Sequence, residues 1–169
     1  GMAARRLAEA LALATVVALV SSSPAAARQD RRLDAPYTAA VVAFQTDGDT
    51  VPARRLATSW THQQFEAAVA RSRRDSPQLA RPASLLHLEL ALAMVESDPD
   101  EALWHVRLGQ QLLEPLSRAH APAQDDFVAR WSVVTSTVFQ ARTDLSRARA
   151  ALAFGLQHRE LRDHDRLGE

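Results

Sequence analysis

The chain has 169 residues, of which 20 are acidic and 20 are basic, so its formal net charge at pH 7 is zero. Hydrophobic residues make up 47% of the chain, which excludes a disordered protein, and the balanced charge gives no reason to expect nucleic acid or an anionic membrane as a partner. Cysteine is absent, which excludes disulfides and thiol catalysis. Alanine and leucine dominate, and most apolar residues recur at helical spacing, so we expect an all-α fold.

The first 27 residues have the three parts of a secretory signal peptide. Gly1 before Met2 is typical of an expression scar. The charged start of the signal peptide is Arg5 with Arg6, its short apolar centre is ALALATVVALV (10–20), and its A-x-A end is Ala25 with Ala27. The apolar centre is shorter than the roughly 20 residues that span a bilayer. We therefore expect cleavage after Ala27 and a periplasmic or secreted protein. The alternatives are an ordinary buried helix and an uncleaved segment that tethers the protein to a membrane; a mature chain that starts at Arg28 excludes tethering.

Helices and short breaks alternate through one expected domain, 36–162, which lies between a flexible start, 28–35, and a polar tail, 163–169. The predicted helices cover about 37–45, 51–60, 61–74, 83–97, 98–116, 125–142 and 144–161. The helix at 83–97 is apolar almost all round, so we expect neighbours on more than one side of it.

Turn and cap residues mark the boundaries of these helices. Asp47-Gly48-Asp49 is typical of a turn, and Thr61 with Gln64 forms a capping-box pattern. In SDPDEALWHVRLG (97–109), Asp98 can cap a helix that has Pro99 in its first turn. That helix then contains Gly109, which costs about 1 kcal/mol of helix propensity relative to alanine.

A repeat accounts for this glycine. Alanines one turn into three of these helices, Ala53, Ala102 and Ala148, recur at intervals of 49 and 46 residues. Seven residues after the second and third alanines come Gly109 and Gly155. Small residues at i and i+7 lie on one helix face and allow a partner backbone to come close.

The helix before Gly155 carries a matching strip of small residues, Ala129, Ser132 and Ser136. Two facing strips of small residues are typical of tightly packed antiparallel helices. We therefore expect both glycines at contact surfaces within helix hairpins. An irregular helical bundle is the alternative, because degenerate repeats arise by chance in alanine- and leucine-rich helices.

The segments 85–115 and 127–157, and less closely 37–57, resemble the tetratricopeptide-repeat (TPR) family in having an apolar helix, a short turn, a second-helix alanine and a small residue two turns later. Pro115 matches the closing proline of that family. The repeat interval is longer than the family's usual 34 residues, and most of its aromatic signature positions hold other residues. The resemblance implies a short solenoid of stacked hairpins with a concave groove for a peptide or partner protein. The groove residues that it implies are His87, Met94, Arg130, Thr137 and Gln140.

Motifs for catalysis and for cofactor binding are lacking. No G-x-S-x-G elbow, glycine-rich phosphate loop or plausible carboxylate pair occurs, so we expect neither an enzyme nor a cofactor. The C-terminal set of possible metal ligands, His158, Glu160, His164 and Asp165, is better explained as a salt-bridged solvent face, and no metal is expected. His105 and His120 are isolated in sequence. A small-ligand or metal-binding helical bundle is the alternative function.

Two other features have ordinary structural explanations. Four arginines between residues 71 and 81 lack interleaved aromatics and indicate a solvated helix end rather than a nucleic-acid surface. The three tryptophans are expected in the core, and Trp104 is the one that could be exposed to a partner.

Overall fold

The computed structural model describes the backbone of residues 24–117 and 125–167 and the side chains of 35–113 and 127–159. Seven α-helices occupy these ranges: α1 (Pro24–Asp47), α2 (Val51–Ser59), α3 (His62–Asp75), α4 (Ala80–Met94), α5 (Pro99–Ser117), α6 (Asp125–Ala141) and α7 (Leu145–Leu167). A single 3-10 turn, Pro77–Leu79, joins α3 to α4. No strand occurs in the described ranges, so the all-α prediction is confirmed.

Both ends of the described chain are more helical than the sequence predicts. Residues 28–35 do not form a flexible start but lie inside α1, which continues through Pro36. Residues 163–167 of the expected polar tail belong to α7. The predicted signal segment lies outside the described residues up to Ser23. None of the described helices combines the length and apolarity needed to cross a membrane.

The predicted caps are present. Thr61 and Gln64 form a reciprocal capping box, in which each side chain accepts a hydrogen bond from the other residue's backbone N–H. Asp98 accepts a hydrogen bond from the backbone N–H of Glu101 at 3.0 Å, and Asp144 starts α7 in the same way. These side chains satisfy N–H groups that have no partner within the first helical turn.

Helix α4 lies at the centre of the fold and packs against α1, α2, α5 and α6. Leu86 and Leu90 on one face belong to a core cluster with α1, α2, α3 and α5. Leu88 and Ala91 on the opposite face belong to a second cluster with α5 and α6. This two-sided burial explains why the sequence of α4 is apolar almost all round.

Each of the two C-terminal hairpins has a close approach at its glycine. A β-carbon placed on Gly109 of α5 would lie 3.0 Å from the backbone oxygen of Ser84 in α4. A β-carbon placed on Gly155 of α7 would lie 2.7 Å from Cβ of Ser132 in α6. The repeat alanines Ala53, Ala102 and Ala148 are buried at the ends of their helices. The small residues therefore bring the helices of each hairpin together.

We predict that Gly155→Ala lowers the free energy of unfolding, although alanine is the better helix former. An added methyl group must displace Ser132, and overpacking of this kind costs about 1–3 kcal/mol, more than the roughly 1 kcal/mol gained in helix propensity. Urea unfolding of Gly155→Ala, Ser132→Gly and the double variant measures the coupling between the two sites. A favourable coupling energy supports the contact, whereas stabilisation by Gly155→Ala alone contradicts it.

Candidate functional site

Five polar side chains run from the core to the surface, and we call them the buried polar chain: Tyr37, His87, His105, Glu101 and His62. The hydroxyl of Tyr37 lies 2.9 Å from Nε2 of His87, and Nδ1 of His87 lies 3.0 Å from Nδ1 of His105. The ring of Tyr37 and both imidazoles are almost completely buried. These contacts join α1 to α4 and α4 to α5.

Hydrogen-bond balance assigns a direction to this chain. One of the facing Nδ1 atoms must donate and the other must accept, because neutral imidazole has one donor and one acceptor. If His87 donates from Nδ1, its Nε2 is free to accept from the hydroxyl of Tyr37, and His105 carries its proton on Nε2. That proton then faces Oε1 of Glu101, 3.8 Å away, which is too far for a hydrogen bond but favourable electrostatically. The opposite tautomers would leave the Tyr37 hydroxyl without an acceptor among the described groups.

Burial keeps the interior of the chain uncharged. Desolvation lowers the pKa of His87 well below its ordinary value, and the neighbouring His105 lowers it further. Desolvation, with a smaller contribution from His62, lowers the pKa of His105 to about 4. Burial also raises the pKa of Tyr37. Both imidazoles are therefore neutral at pH 7, and one Nδ1 can still donate to the other.

Aromatic rings surround the buried polar chain and contact it as far as its outer end at the surface. Phe65 meets the rings of His87 and His105 edge-on, which keeps water from the pair. At the outer end, the half-exposed ring of His62 stacks on Trp104 at 3.9 Å between ring centroids. Nε2 of His62 lies 2.6 Å from Oε2 of Glu101. Trp104 is thus partly covered by a residue of its own chain.

The chemistry open to this arrangement is proton binding at a pair of neutral imidazoles. Within the described side chains, no three His, Asp or Glu residues are placed so as to share a metal ion. His120, and the side chains of Glu160, His164 and Asp165, lie outside the described residues.

A second candidate site is an open groove between α6 and α7, which we call the C-terminal groove. It consists of two adjoining depressions, with volumes of about 410 and 220 Å³, that share Leu152. Buried small residues, Ser132, Ser136 and Ala148, form its floor, together with half-buried Gly155. Its sides are apolar side chains between 41% and 62% exposed, namely Val133, Leu145, Leu152 and Leu156. The groove exists because α6 is the only described helix against which α7 packs extensively.

The C-terminal groove has a basic character. Residues 127–159 contain one acidic residue, Asp144, which caps α7 and pairs with Arg147. Arg130 pairs with Glu89 and Arg142 pairs with Asp100. The remaining arginines of this segment, Arg149 and Arg159, line the groove and have no acidic partner among the described side chains.

The structure does not bring together the groove residues that the TPR resemblance implies. His87 is completely buried and bonded to Tyr37 and His105, so it cannot line an open groove. The enclosure of α4 by its neighbours is the physical reason. Met94 is partly buried between the two core clusters, so it is not a free groove side chain either.

The predicted residues on α6 separate as well. Arg130 donates from Nε and Nη2 to Glu89 of α4, and Thr137 donates to the carbonyl oxygen of Val133 in its own helix. Only Gln140 lines the C-terminal groove. The residues that line the open groove of the structure therefore differ from the groove residues that the TPR resemblance implies.

The sequence alone does not identify Tyr37 and His105 as members of a polar site. Tyr37 lies in a segment, 37–45, that predicts only a helix, and His105 is isolated in sequence. One signal was available, because His105 lies three residues after Ala102 and four before Gly109, on the packing stripe that the repeat defines. A histidine on such a stripe faces the preceding helix, where His87 is the one imidazole.

No family model matches the chain, and no significant similarity to a curated protein or to a solved structure was found.

We predict that Tyr37→Phe lowers the free energy of unfolding by about 1–3 kcal/mol, because Nε2 of His87 stays buried without a partner. Urea unfolding at about pH 8 measures the loss. Thr137→Val is the matched control, since it removes a less buried hydroxyl that bonds only its own helix. An equal and small loss in both variants would show that the Tyr37–His87 bond does not stabilise the core.

We predict that stability falls as the pH drops below about 6.5, the unfolded-state pKa of histidine. The folded-state pKa values of His87 and His105 are lowered, so the unfolded state binds more protons in this range and folding weakens towards pH 4. The limiting slope is about 1.4 kcal/mol per pH unit for each proton. His105→Gln should flatten the dependence measured by urea unfolding between about pH 7.5 and 5, and Thr137→Val, which removes no titratable group, should not. An unchanged slope in His105→Gln contradicts this origin.

Proposed function

We propose that the protein is a non-enzymatic, exported, TPR-like scaffold that binds a partner protein or peptide through the C-terminal groove. One observation carries the proposal: within the described residues, apolar side chains of α7 are exposed along an open, concave surface. Exposed apolar patches of this kind in folded proteins are typical of interaction sites. The signal-peptide pattern of residues 1–27 supports export, and the hairpin pattern supports a TPR-like repeat.

The position of the leucines favours a binding surface over incidental exposure. Leu145, Leu152 and Leu156 lie seven and four residues apart, so they share one face of α7. Val133 of α6 borders the same groove. Four exposed aliphatic side chains that converge on a floor of small residues form pockets into which a partner's side chains can insert.

The alternative function, a small-ligand or metal-binding bundle, would have to use the buried polar chain, and that chain supports it less well than the C-terminal groove supports a scaffold. The histidines of the chain already have hydrogen-bond or ring partners, and aromatic rings fill the space around them. We therefore assign it to holding α1, α4 and α5 together. A membrane-tethered interaction module remains a variant of the proposal in which the N-terminal segment is retained.

We predict that Leu152→Ser weakens specific partner capture while leaving the helical content unchanged. Full burial of a leucine contributes about 1.5–3 kcal/mol, and the partner can bury the 41% of Leu152 that is exposed. Affinity capture from the exported fraction of the native host, quantified by mass spectrometry and accompanied by circular dichroism, provides the measurement.

Val51→Ser is the matched control, because Val51 is similarly exposed but lies on α2. Gln140→Ala, inside the groove, should weaken capture more than Arg130→Ala, whose side chain is held by Glu89. Capture that is equal in wild type, Leu152→Ser and Val51→Ser contradicts binding at the C-terminal groove.

A further inference from the structure

We infer that the C-terminal groove takes an amphipathic α-helix of a different protein, one whose apolar stripe is flanked by acidic residues. The inference rests on the proposed function and adds the secondary structure and charge of the partner.

The shape of the groove fits a helix. Its lining runs along α7 from Leu145 to Arg159, which at 1.5 Å per residue is a length of roughly 20 Å, or about four helical turns. Its apolar side chains recur at helical spacing, so they can interdigitate with leucines at i, i+4, i+7 and i+11 of a partner helix. An extended strand is less suitable, because the groove lies between helices whose backbone groups are already hydrogen-bonded within them.

The charge of the groove selects an acidic partner. Arg149 lies on one side of the leucine stripe and Arg159 lies at its end, and neither has an acidic neighbour among the described side chains. Glutamate or aspartate beside the partner's apolar stripe would neutralise both arginines. Complementary charges at the rim of an interface increase the association rate and exclude partners of the wrong sign.

The other candidate occupants fit this charge less well. A second copy of α7 would bring the same arginines, and its acidic residues, Glu160, Asp163 and Asp165, are interleaved with Arg159, Arg162 and Arg166. The apolar segment 10–20 is preceded by one acidic residue, Glu9, and two basic residues, Arg5 and Arg6. A bilayer is flat on this scale, whereas the leucines line a concave surface.

Two stapled helical peptides of about 18 residues, long enough to span the groove, test the inference with the full chain. Both carry leucines at i, i+4, i+7 and i+11; one has glutamate and the other has lysine at every flanking position. Fluorescence anisotropy should show that the glutamate peptide binds at least roughly tenfold more tightly than the lysine peptide at low salt. Leu152→Ser should weaken binding of the glutamate peptide about tenfold, and Val51→Ser should leave it unchanged.

Charge reversal gives the sharpest comparison. The double variant R149E/R159E should exchange the preference, so that the lysine peptide binds more tightly. R54E/R55E, with the same change in net charge at exposed positions of α2, should keep the preference of the wild type. A preference that does not depend on Arg149 and Arg159 overturns the inference.

The remaining outcomes separate this inference from the proposed function. If Leu152→Ser weakens capture of the native partner but the two peptides bind equally, the acidic helix is wrong and the scaffold function stands. If Leu152→Ser changes neither partner capture nor peptide binding, both the inference and the proposed function are wrong. Concentration-dependent dimerisation in sedimentation equilibrium, or binding to phosphatidylglycerol vesicles, also overturns the inference if Leu152→Ser removes it.

Discussion

Close approach between the two helices of each C-terminal hairpin is the constraint on which both candidate sites depend. Gly109 allows α5 to meet α4 at the backbone of Ser84, and in doing so it brings α5 against the base of the His87 side chain. The two imidazoles can then reach each other. Gly155 plays the equivalent part between α7 and α6, where it forms part of the floor of the C-terminal groove. A glycine at the closest approach of two helices thus accompanies a buried polar contact in one hairpin and an open apolar surface in the next.

The difference between the two hairpins lies in their neighbours. The hairpin of α4 and α5 has α1, α2 and α3 on one side and α6 on the other, so its polar side chains must find partners within the protein. The hydrogen bonds between Tyr37 and His87 and between His87 and His105 meet that requirement with neutral groups, which avoids the cost of burying charge. Nε2 of His105 is buried without a hydrogen-bond partner among the described residues. The hairpin of α6 and α7 has its polar and apolar groups divided differently. Its inner face completes the second core cluster, while leucines on the outer face of α7 stay exposed among the described residues.

The sequence was sufficient for the features that arise from local chemistry. Helical periodicity predicts seven helices, the Thr61–Gln64 and Asp98 caps follow from their side chains, and the small residues predict where hairpins touch. The sequence alone was insufficient to predict burial, because burial depends on which sides of each helix have neighbouring helices. The TPR resemblance implies a groove position for His87 because its helix is the first of a hairpin, yet the enclosure of α4 buries it. Likewise, Leu145, Leu152 and Leu156 are spaced along one helix face, but only the structure shows that they are 41–62% exposed.

Nitrogen-15 NMR of the histidine side chains tests the close approach and the polar chain most directly. At pH 7 the account predicts that His87 is neutral with its proton on Nδ1 and that His105 is neutral with its proton on Nε2. It also predicts a scalar coupling between the two Nδ1 atoms across the hydrogen bond that joins them. Protons on Nε2 of both rings would contradict the pairing of His87 with His105 and the approach of α5 to α4 that permits it.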